Sequence, residues 1–422
     1  MPKITTCRIC ESPKLKPFFD LGEQPLANSL LDGSQESGVR SQGEKFYPLS
    51  LTWCENCNLV QLEETVDSKG LFSTYVWVTG TSKGANEFSR KFYSELVRRV
   101  GGDKSGYVLE IASNDGTFLK QFIEDGYEVL GVDPARNIAE MAERAGVPTK
   151  CVFWGKPAAE DLVAEKGRAR IVFARNVLPH VANTRDFVEG LARALAEDGT
   201  LAIEAHYAKI ILEELHYDSI YHEHLCYFTL KTLEKLLNDF GLYVFDIAKS
   251  PISGGSVVVY ARKESGVRSQ ESGINESEML KSFREKETED GINNLERWQG
   301  FARRSFEHRD KLLEILGEAK KFGRIIGWGA SARSSTLLNF CGIDSSIISS
   351  IIDLNPLKQG KFTAGTHIPI VKPEEALKET PALVFITGWN FADEIIDSLR
   401  NKFGYKGPCL VPLPKEPRVI SH

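Results

Sequence analysis

The stretch Val108-Leu109-Glu110-Ile111-Ala112-Ser113-Asn114-Asp115-Gly116 decides the fold. An apolar run ends in an acid and passes into a turn of small residues that opens a helix at Gly116. One helix later comes a second apolar run, Glu128-Val129-Leu130-Gly131-Val132-Asp133, whose closing acid stands 23 residues after Glu110. Strand, turn, helix and strand at this spacing start a mostly parallel, doubly wound α/β sheet, which binds ligands outside the carboxyl ends of its strands. The turn is not G-x-G-x-x-G, because only Gly116 is a glycine, so it is no pyrophosphate cradle. It suits a ligand with a nucleoside and a zwitterionic amino-acid tail but no phosphate. Asp133 is placed to accept hydrogen bonds from both ribose hydroxyls. Glu110, Ala112, Asn114, Asp115 and Gly116 line the turn, and Asn176 stands at the end of a later strand on the same edge.

Working outward, Arg170–Ala174 and Thr200–Glu204 continue the sheet, and 241–245 and 256–260 close it. Phe88, Phe92, Leu96 and Val97 recur at helical spacing behind an N-cap-like Ser82. Residues 274–321 carry a helical pattern, and a second α/β unit starts at Arg324. These divisions predict a zinc-binding module over 1–70, a central Rossmann-like domain over 71–265, a helical connector over 266–322 and a C-terminal Rossmann-like domain over 323–422. The Glu110–Asp133 pair resembles the S-adenosylmethionine site of Rossmann-like methyltransferases.

The length of 422 residues allows two or three domains. A net charge of −6 argues against nucleic acid as a partner, which a basic footprint would announce. The N-terminus shows no signal-peptide run and no stretch reaches membrane-helix length, so the expected location is cytoplasmic, without membrane contact. The oligomeric state is left open, with a monomer among the options. Eight cysteines divide into two groups. Cys7, Cys10, Cys54 and Cys57 make two C-x-x-C pairs that can complete a tetrahedral, structural Zn²⁺ site. A redox C-x-x-C would instead precede a helix in a βαβ unit, which this N-terminus lacks. Cys151, Cys226, Cys341 and Cys409 are isolated and are expected to be buried small hydrophobes. Glu36–Gln42 recurs as Glu264–Gln270; both copies are polar and expected to be exposed insertions.

Two further motifs carry chemistry. Ile326-Gly327-Trp328-Gly329-Ala330-Ser331-Ala332 matches a dinucleotide fingerprint, with Asp353 standing 24 residues past Gly329. Read literally it implies a zinc-containing, NAD-dependent nucleotide-sugar oxidoreductase. The same turn, Gly327, Gly329, Ala330 and Ser331, can hold the pyrophosphate of any nucleotide diphosphate. The other motif is Ile220-Tyr221-His222-Glu223-His224-Leu225-Cys226-Tyr227-Phe228, joined by His180 just past a strand. Two imidazoles, a carboxylate and two phenols in so few residues mark a candidate active site.

In order and combination, the C-x-x-C…C-x-x-C module, the E-I-A-S-N-D-G turn, the Y-H-E-H cluster and the C-terminal G-x-G-A turn resemble the sugar C-methyltransferases. The resemblance covers essentially the whole chain. It implies S-adenosylmethionine in the central domain and a nucleotide-linked 4-keto-6-deoxy sugar between the central and C-terminal domains. It carries Tyr75, His180, Tyr221, Glu223 and His224 as active-site residues. The chain departs from the family at Ile252-Ser253-Gly254-Gly255-Ser256, where many members have a histidine before the paired glycines. That departure bears on the sugar and the methylated carbon, not on the reaction class. The expected reaction is methylation of carbon at C3 or C5, C3 in the first instance, through an enolate formed at a C–H that the 4-keto group makes acidic. His224 is the expected base, Tyr221 and His180 the donors to the enolate oxygen, and Glu223 an orienting group. Tyr75 would line the channel between sulfonium and sugar. A sugar O-methyltransferase would need the same base without the enolate donors.

Overall fold

The computed structural model describes residues 3–32, 44–66, 78–264, 268–269, 273–274 and 276–421. Tyr75, the repeat at 36–42 and most of its second copy lie outside the described residues.

The N-terminal unit has strands β1 (Leu15–Pro25), β2 (Phe46–Cys54) and β3 (Val60–Leu62), paired antiparallel. Its fourth strand comes from far along the chain. β9 (Cys226–Tyr227) pairs antiparallel with β3, Tyr227 opposite Val60 and Cys226 opposite Gln61, after the parallel strands of the central sheet have been laid down.

Those central strands are β4 (Tyr107–Ile111), β5 (Glu128–Val132), β6 (Thr149–Lys150), β7 (Ala169–Arg175) and β8 (Leu195–His206). With β10 (Leu242–Ser250) and β11 (Ser256–Lys263) they form a seven-stranded sheet of order β10-β11-β8-β7-β4-β5-β6. β4 to β8 run parallel; β11 runs antiparallel to β8 and β10. The helix Lys83–Val100 starts where expected, the Ser82 side chain accepting from the Ala85 amide at 3.3 Å. It buries Phe88, Phe92 and Leu96 against Phe118, Phe122 and Phe173, a cluster of rings that fixes one helical layer on the sheet.

A short pair, β12 (Arg268–Ser269) and β13 (Gly273–Ile274), precedes the connector. The expected helical stretch of 274–321 is two helices, Glu278–Glu289 and Leu295–Lys320, broken at Gly291 (φ 62°). The second spans about 39 Å at 1.5 Å per residue. The C-terminal domain has β14 (Ile325–Trp328), β15 (Ile351–Ile352), β16 (Ile370–Val371), β17 (Leu383–Phe385), β18 (Cys409–Val411) and β19 (Arg418–Ile420). The order is β16-β15-β14-β17-β18-β19, parallel except for β19. Phe19 of β1 meets Phe301 and Phe306 of the long helix and Phe340 of the C-terminal domain edge-on at 5.7–5.9 Å. That contact welds the N-terminal sheet to both units behind it. Among the described residues no helix is long and apolar enough to cross a membrane. Cys226, Cys341 and Cys409 are buried as expected, but Cys151 is exposed: it follows the edge strand β6, where nothing covers it.

Candidate active site and cofactor sites

Cys7, Cys10, Cys54 and Cys57 converge, their four sulfurs lying within 4.8 Å of one another. Cys7 Sγ is 3.5 Å from Cys57 Sγ, and Cys10 Sγ is 3.5 Å from Cys54 Sγ. Four thiolates about 2.3 Å from one zinc would stand about 3.8 Å apart, so the sulfurs are almost in coordination geometry. Both C-x-x-C pairs turn alike. The Glu11 amide donates to Cys7 O and the Asn58 amide to Cys54 O, both at 2.9 Å, and both residues have positive φ. The hydrogen bond from Cys57 holds the Cys7 thiol down near 5, while the same contact and burial push Cys57 up. Four protein ligands leave no open position, so this Zn²⁺ is structural.

The turn after β4 has positive φ at Ala112 (56°), Asn114 (51°) and Gly116 (75°). Asn tolerates that region but Ala rarely sits there, and such strain collects at ligand sites. Gly116 has a steric reason as well, since a Cβ would lie 2.6 Å from the Val147 side chain. The turn is braced from outside. The Thr79 amide donates to Asn114 Oδ1 (2.8 Å), and Asp115 accepts from the Gly80 amide (3.1 Å) and the Thr117 hydroxyl (2.7 Å). Asp133 accepts from the amides of Asn114 and Ala135, both at 2.9 Å, one on each oxygen, which leaves lone pairs for ribose hydroxyls.

Glu110 is 2% exposed, and among the described residues its Oε2 has no hydrogen-bond partner. Burial pushes its carboxyl well above the usual range; nearby Arg175 opposes this, while Asp115, Asp133 and Glu204 add to it. An orphaned buried carboxyl among further acids fits a ligand bearing a cationic ammonium and a sulfonium. Arg175, at the end of β7, binds Glu204 at 2.7 Å and lies over the Phe118 ring. Asn176 follows with φ 49°, its amide on Glu204 O at 2.8 Å.

Residues 216–228 are held from every side. Toward the N-terminal sheet, β9 pairs with β3, and His222 Nε2 donates to Pro48 O of β2 at 3.1 Å, so His222 is held against that sheet. Toward the C-terminal domain, Asp218 accepts both Arg333 Nε (2.9 Å) and Nη2 (2.8 Å), plus Trp389 Nε1 (2.7 Å). The Thr336 hydroxyl donates to Ile220 O at 2.9 Å. Toward the central domain, the Leu225 amide donates to Pro179 O at 2.7 Å, which sets His180 beside His224, ring centroids 4.8 Å apart. The segment therefore belongs to no single domain.

His224 Nδ1 lies 2.7 Å from the Ser219 carbonyl oxygen and Nε2 lies 2.7 Å from the Tyr221 hydroxyl. A carbonyl only accepts, so Nδ1 carries the proton. Burial first, then the charges of His180 and His206, hold His224 well below its usual value and neutral; the Ser219 hydrogen bond opposes this. Nε2 therefore bears the lone pair and accepts from Tyr221. His180 is also kept neutral by burial, down to about 4 against hydrogen bonds to the backbone of Glu223 and Asn176. Glu223 is 6% exposed; burial raises its carboxyl, and Asn28 Nδ2, donating at 2.6 Å, lowers it.

Comparison with known proteins settles the family. Family models match residues 7–72 as a putative zinc binding domain, 85–247 as a methyltransferase domain and 251–414 as a C-methyltransferase C-terminal domain. The C-methyltransferase NovU of Streptomyces niveus is 32% identical over 419 residues, 99% of this chain and 97% of that protein. The chain belongs to the C-methyltransferase family.

Solved structures resemble it more distantly. Magnesium protoporphyrin IX methyltransferase of Synechocystis PCC 6803 is 14% identical over 43% of this chain and 80% of that one, with a TM-score of 0.33. A methyltransferase of Clostridium acetobutylicum ATCC 824 is 11% identical over 44% and 93%, with a TM-score of 0.35. This C-methyltransferase uses S-adenosylmethionine, which supplies an electrophilic methyl group; Glu110, Asn114, Asp115 and Asp133 offer polar groups at one sheet edge that could hold it.

In the C-terminal turn both glycines have packing reasons. A Cβ on Gly327 would lie 2.8 Å from Ile351, and one on Gly329 (φ 108°) 2.8 Å from the Gly388 amide nitrogen. Ser331 caps the helix Ala332–Cys341 in a capping box with Ser334. Asp353 accepts from the Ala330 amide (3.0 Å) and from Lys358 (3.3 Å), and Lys358 also donates to Ala330 O (2.7 Å). Its carboxylate closes the turn. Sequence reasoning missed Asn28, Asp218 and Arg333, whose partners lie far away in the chain, and Lys358, which binds Asp353 five residues before it. Arg175 it could have found, as a charge ending an apolar strand on the same edge as His180.

Proposed function

We propose that this C-methyltransferase methylates a nucleotide-linked 4-keto-6-deoxy sugar at the carbon beside the ketone, C3 in the first instance. The observation that carries the proposal is the His224 tautomer. With Nδ1–H spent on Ser219 O, a neutral imidazole offers Nε2 as base. A carbon nucleophile needs such a base, because a C–H beside a ketone must be deprotonated before it attacks a methyl group. Tyr221, already 2.7 Å from Nε2, then turns its hydroxyl to the developing enolate oxygen, with His180 on the other side. Glu223 accepts from a hydroxyl or amine of the sugar. The nucleotide diphosphate lies along the Gly327–Ser331 turn, flanked by Lys358 and by Arg333 in the first turn of the helix. What supports a diphosphate there over NAD is Lys358, whose ammonium sits on the Asp353 carboxylate at 3.3 Å, where a dinucleotide ribose would bind, and adds a cation beside the turn.

The test is incubation with S-adenosylmethionine and a panel of nucleotide-linked 4-keto sugars, read by mass and by carbon NMR. The expected product is one methyl heavier, with a new C–CH₃ beside the ketone. A methyl on oxygen would instead identify a sugar O-methyltransferase, and reduction or oxidation with nicotinamide would identify the oxidoreductase.

A further inference from the structure

Asn28 belongs to the N-terminal module and stands 195 residues from the carboxylate it meets. It lies on the turn that follows β1, where the Ser29 amide donates to Leu26 O at 3.0 Å. Three residues on, Leu31 and Phe362 exchange backbone hydrogen bonds at 2.9 Å in both directions. The turn is thus fixed at one end to the N-terminal sheet and at the other to the C-terminal domain. Its apex puts Asn28 Nδ2 2.6 Å from Glu223 Oε1. Only the amide nitrogen fits there, since the amide oxygen would face a carboxylate with no proton between them. Glu223 is buried, whereas Asn28 is exposed. A hydrogen bond between a charged, buried acceptor and an exposed donor restrains the carboxylate at little cost to the fold.

We infer that Asn28 is a positioning residue of the sugar site, holding one oxygen of Glu223 so that the other meets a hydrogen-bond donor on the sugar ring. The inference rests on the proposed function, in which Glu223 contacts the sugar. The N-terminal module then has a second task besides binding zinc: it supplies the third wall of the substrate site. A carboxylate free to rotate would accept from hydroxyls in several positions, whereas one oxygen tied to Asn28 leaves a single direction for the other. The selectivity for the substituent beside the methylated carbon therefore depends on a residue outside the methyltransferase domain.

The test is a double-mutant cycle on the full chain with zinc bound. KM for the nucleotide sugar, kcat and the affinity for S-adenosylhomocysteine are measured for wild type, Asn28→Ala, Glu223→Ala and the double variant. Asn28→Ala is expected to raise the sugar KM about tenfold and to leave cofactor affinity unchanged. In the Glu223→Ala background the same change is expected to alter KM less than about twofold, because Asn28 then has nothing to hold. Asn28→Asp, which presents a second carboxylate at the same place, is expected to be worse than Asn28→Ala. Effects that add across the cycle, or an Asn28→Asp variant equal to wild type, would overturn the inference. A wild type that methylates no keto sugar defeats the functional proposal and this inference with it. A wild type that methylates one, with an additive cycle, defeats this inference alone.

Discussion

Replacing Glu110 by Gln removes one negative charge and keeps the side chain's shape. In the free protein this carboxyl is 2% exposed, its Oε2 has no partner among the described residues, and burial holds it well above the usual carboxylate range. It therefore keeps its proton to higher pH than an ordinary glutamate. The ammonium of S-adenosylmethionine or S-adenosylhomocysteine favours the ionised form, so binding expels that proton. Affinity rises with pH until Glu110 is already ionised in the free protein, and is flat above that point. A hydrogen bond to a charged group is worth about 1.5–3 kcal/mol. The Gln variant should thus bind cofactor roughly 10- to 150-fold more weakly. Arg175 limits collateral damage, because it keeps its 2.7 Å bond to Glu204 when Glu110 is neutral. Calorimetry in two buffers of different ionisation enthalpy measures both quantities. The expectation is proton release in wild type, none in the variant, and a flat pH dependence of affinity in the variant. Equal affinity and equal proton release in the two proteins would refute the placement of the cofactor's amino-acid tail at Glu110.

Asp133→Ala should weaken cofactor binding by about 1–3 kcal/mol, since ribose hydroxyls lose their acceptor and the Asn114 and Ala135 amides lose theirs; unchanged affinity by calorimetry would remove Asp133 from the site. Metal analysis should find one zinc per chain in wild type and less in Cys54→Ser. Chelation should abolish methyl transfer while the central domain still binds cofactor, because β9 hangs on the zinc module's β3 directly after His224; full activity without zinc would contradict that coupling. Ser331→Asp keeps an N-cap acceptor but adds a negative charge, so it should raise KM for the nucleotide sugar and leave cofactor affinity alone. An unchanged KM would move the diphosphate away from this turn.

Periodicity and punctuation made the α/β units legible. The acids ending β4 and β5, the single-glycine turn between them and the Ser82 cap are local features, and the structure has each where the spacing puts it. The four zinc ligands were legible for the same reason, since each C-x-x-C is a closed turn in itself. The break at Gly291 is written locally too, in the Asp290-Gly291 helix stop and the Asn294 N-cap of the second helix, signals that the helical periodicity of 274–321 masks. What pattern could not reveal is the junction. Nothing in the sequence pairs Cys226 with Gln61, Asp218 with Arg333 or Glu223 with Asn28, because such contacts depend on how three units close on one segment. The glycines of the C-terminal turn were legible as a motif but their reason was not. The motif suggests close approach of a phosphate, while the chain itself, at Ile351 and Gly388, already occupies the space that a Cβ would need.

The central claim is that His224 removes a proton from carbon. Its most direct measurement is solvent exchange without methyl transfer. The 4-keto sugar nucleotide is incubated in D₂O with the enzyme and S-adenosylhomocysteine, and deuterium is located by NMR. The account predicts deuterium at the carbon that is methylated when S-adenosylmethionine is present. It also predicts that His224→Asn loses exchange and methylation together while binding cofactor normally, because an amide is no base. Exchange that persists in His224→Asn and disappears in Tyr221→Phe would contradict it and make Tyr221 the base.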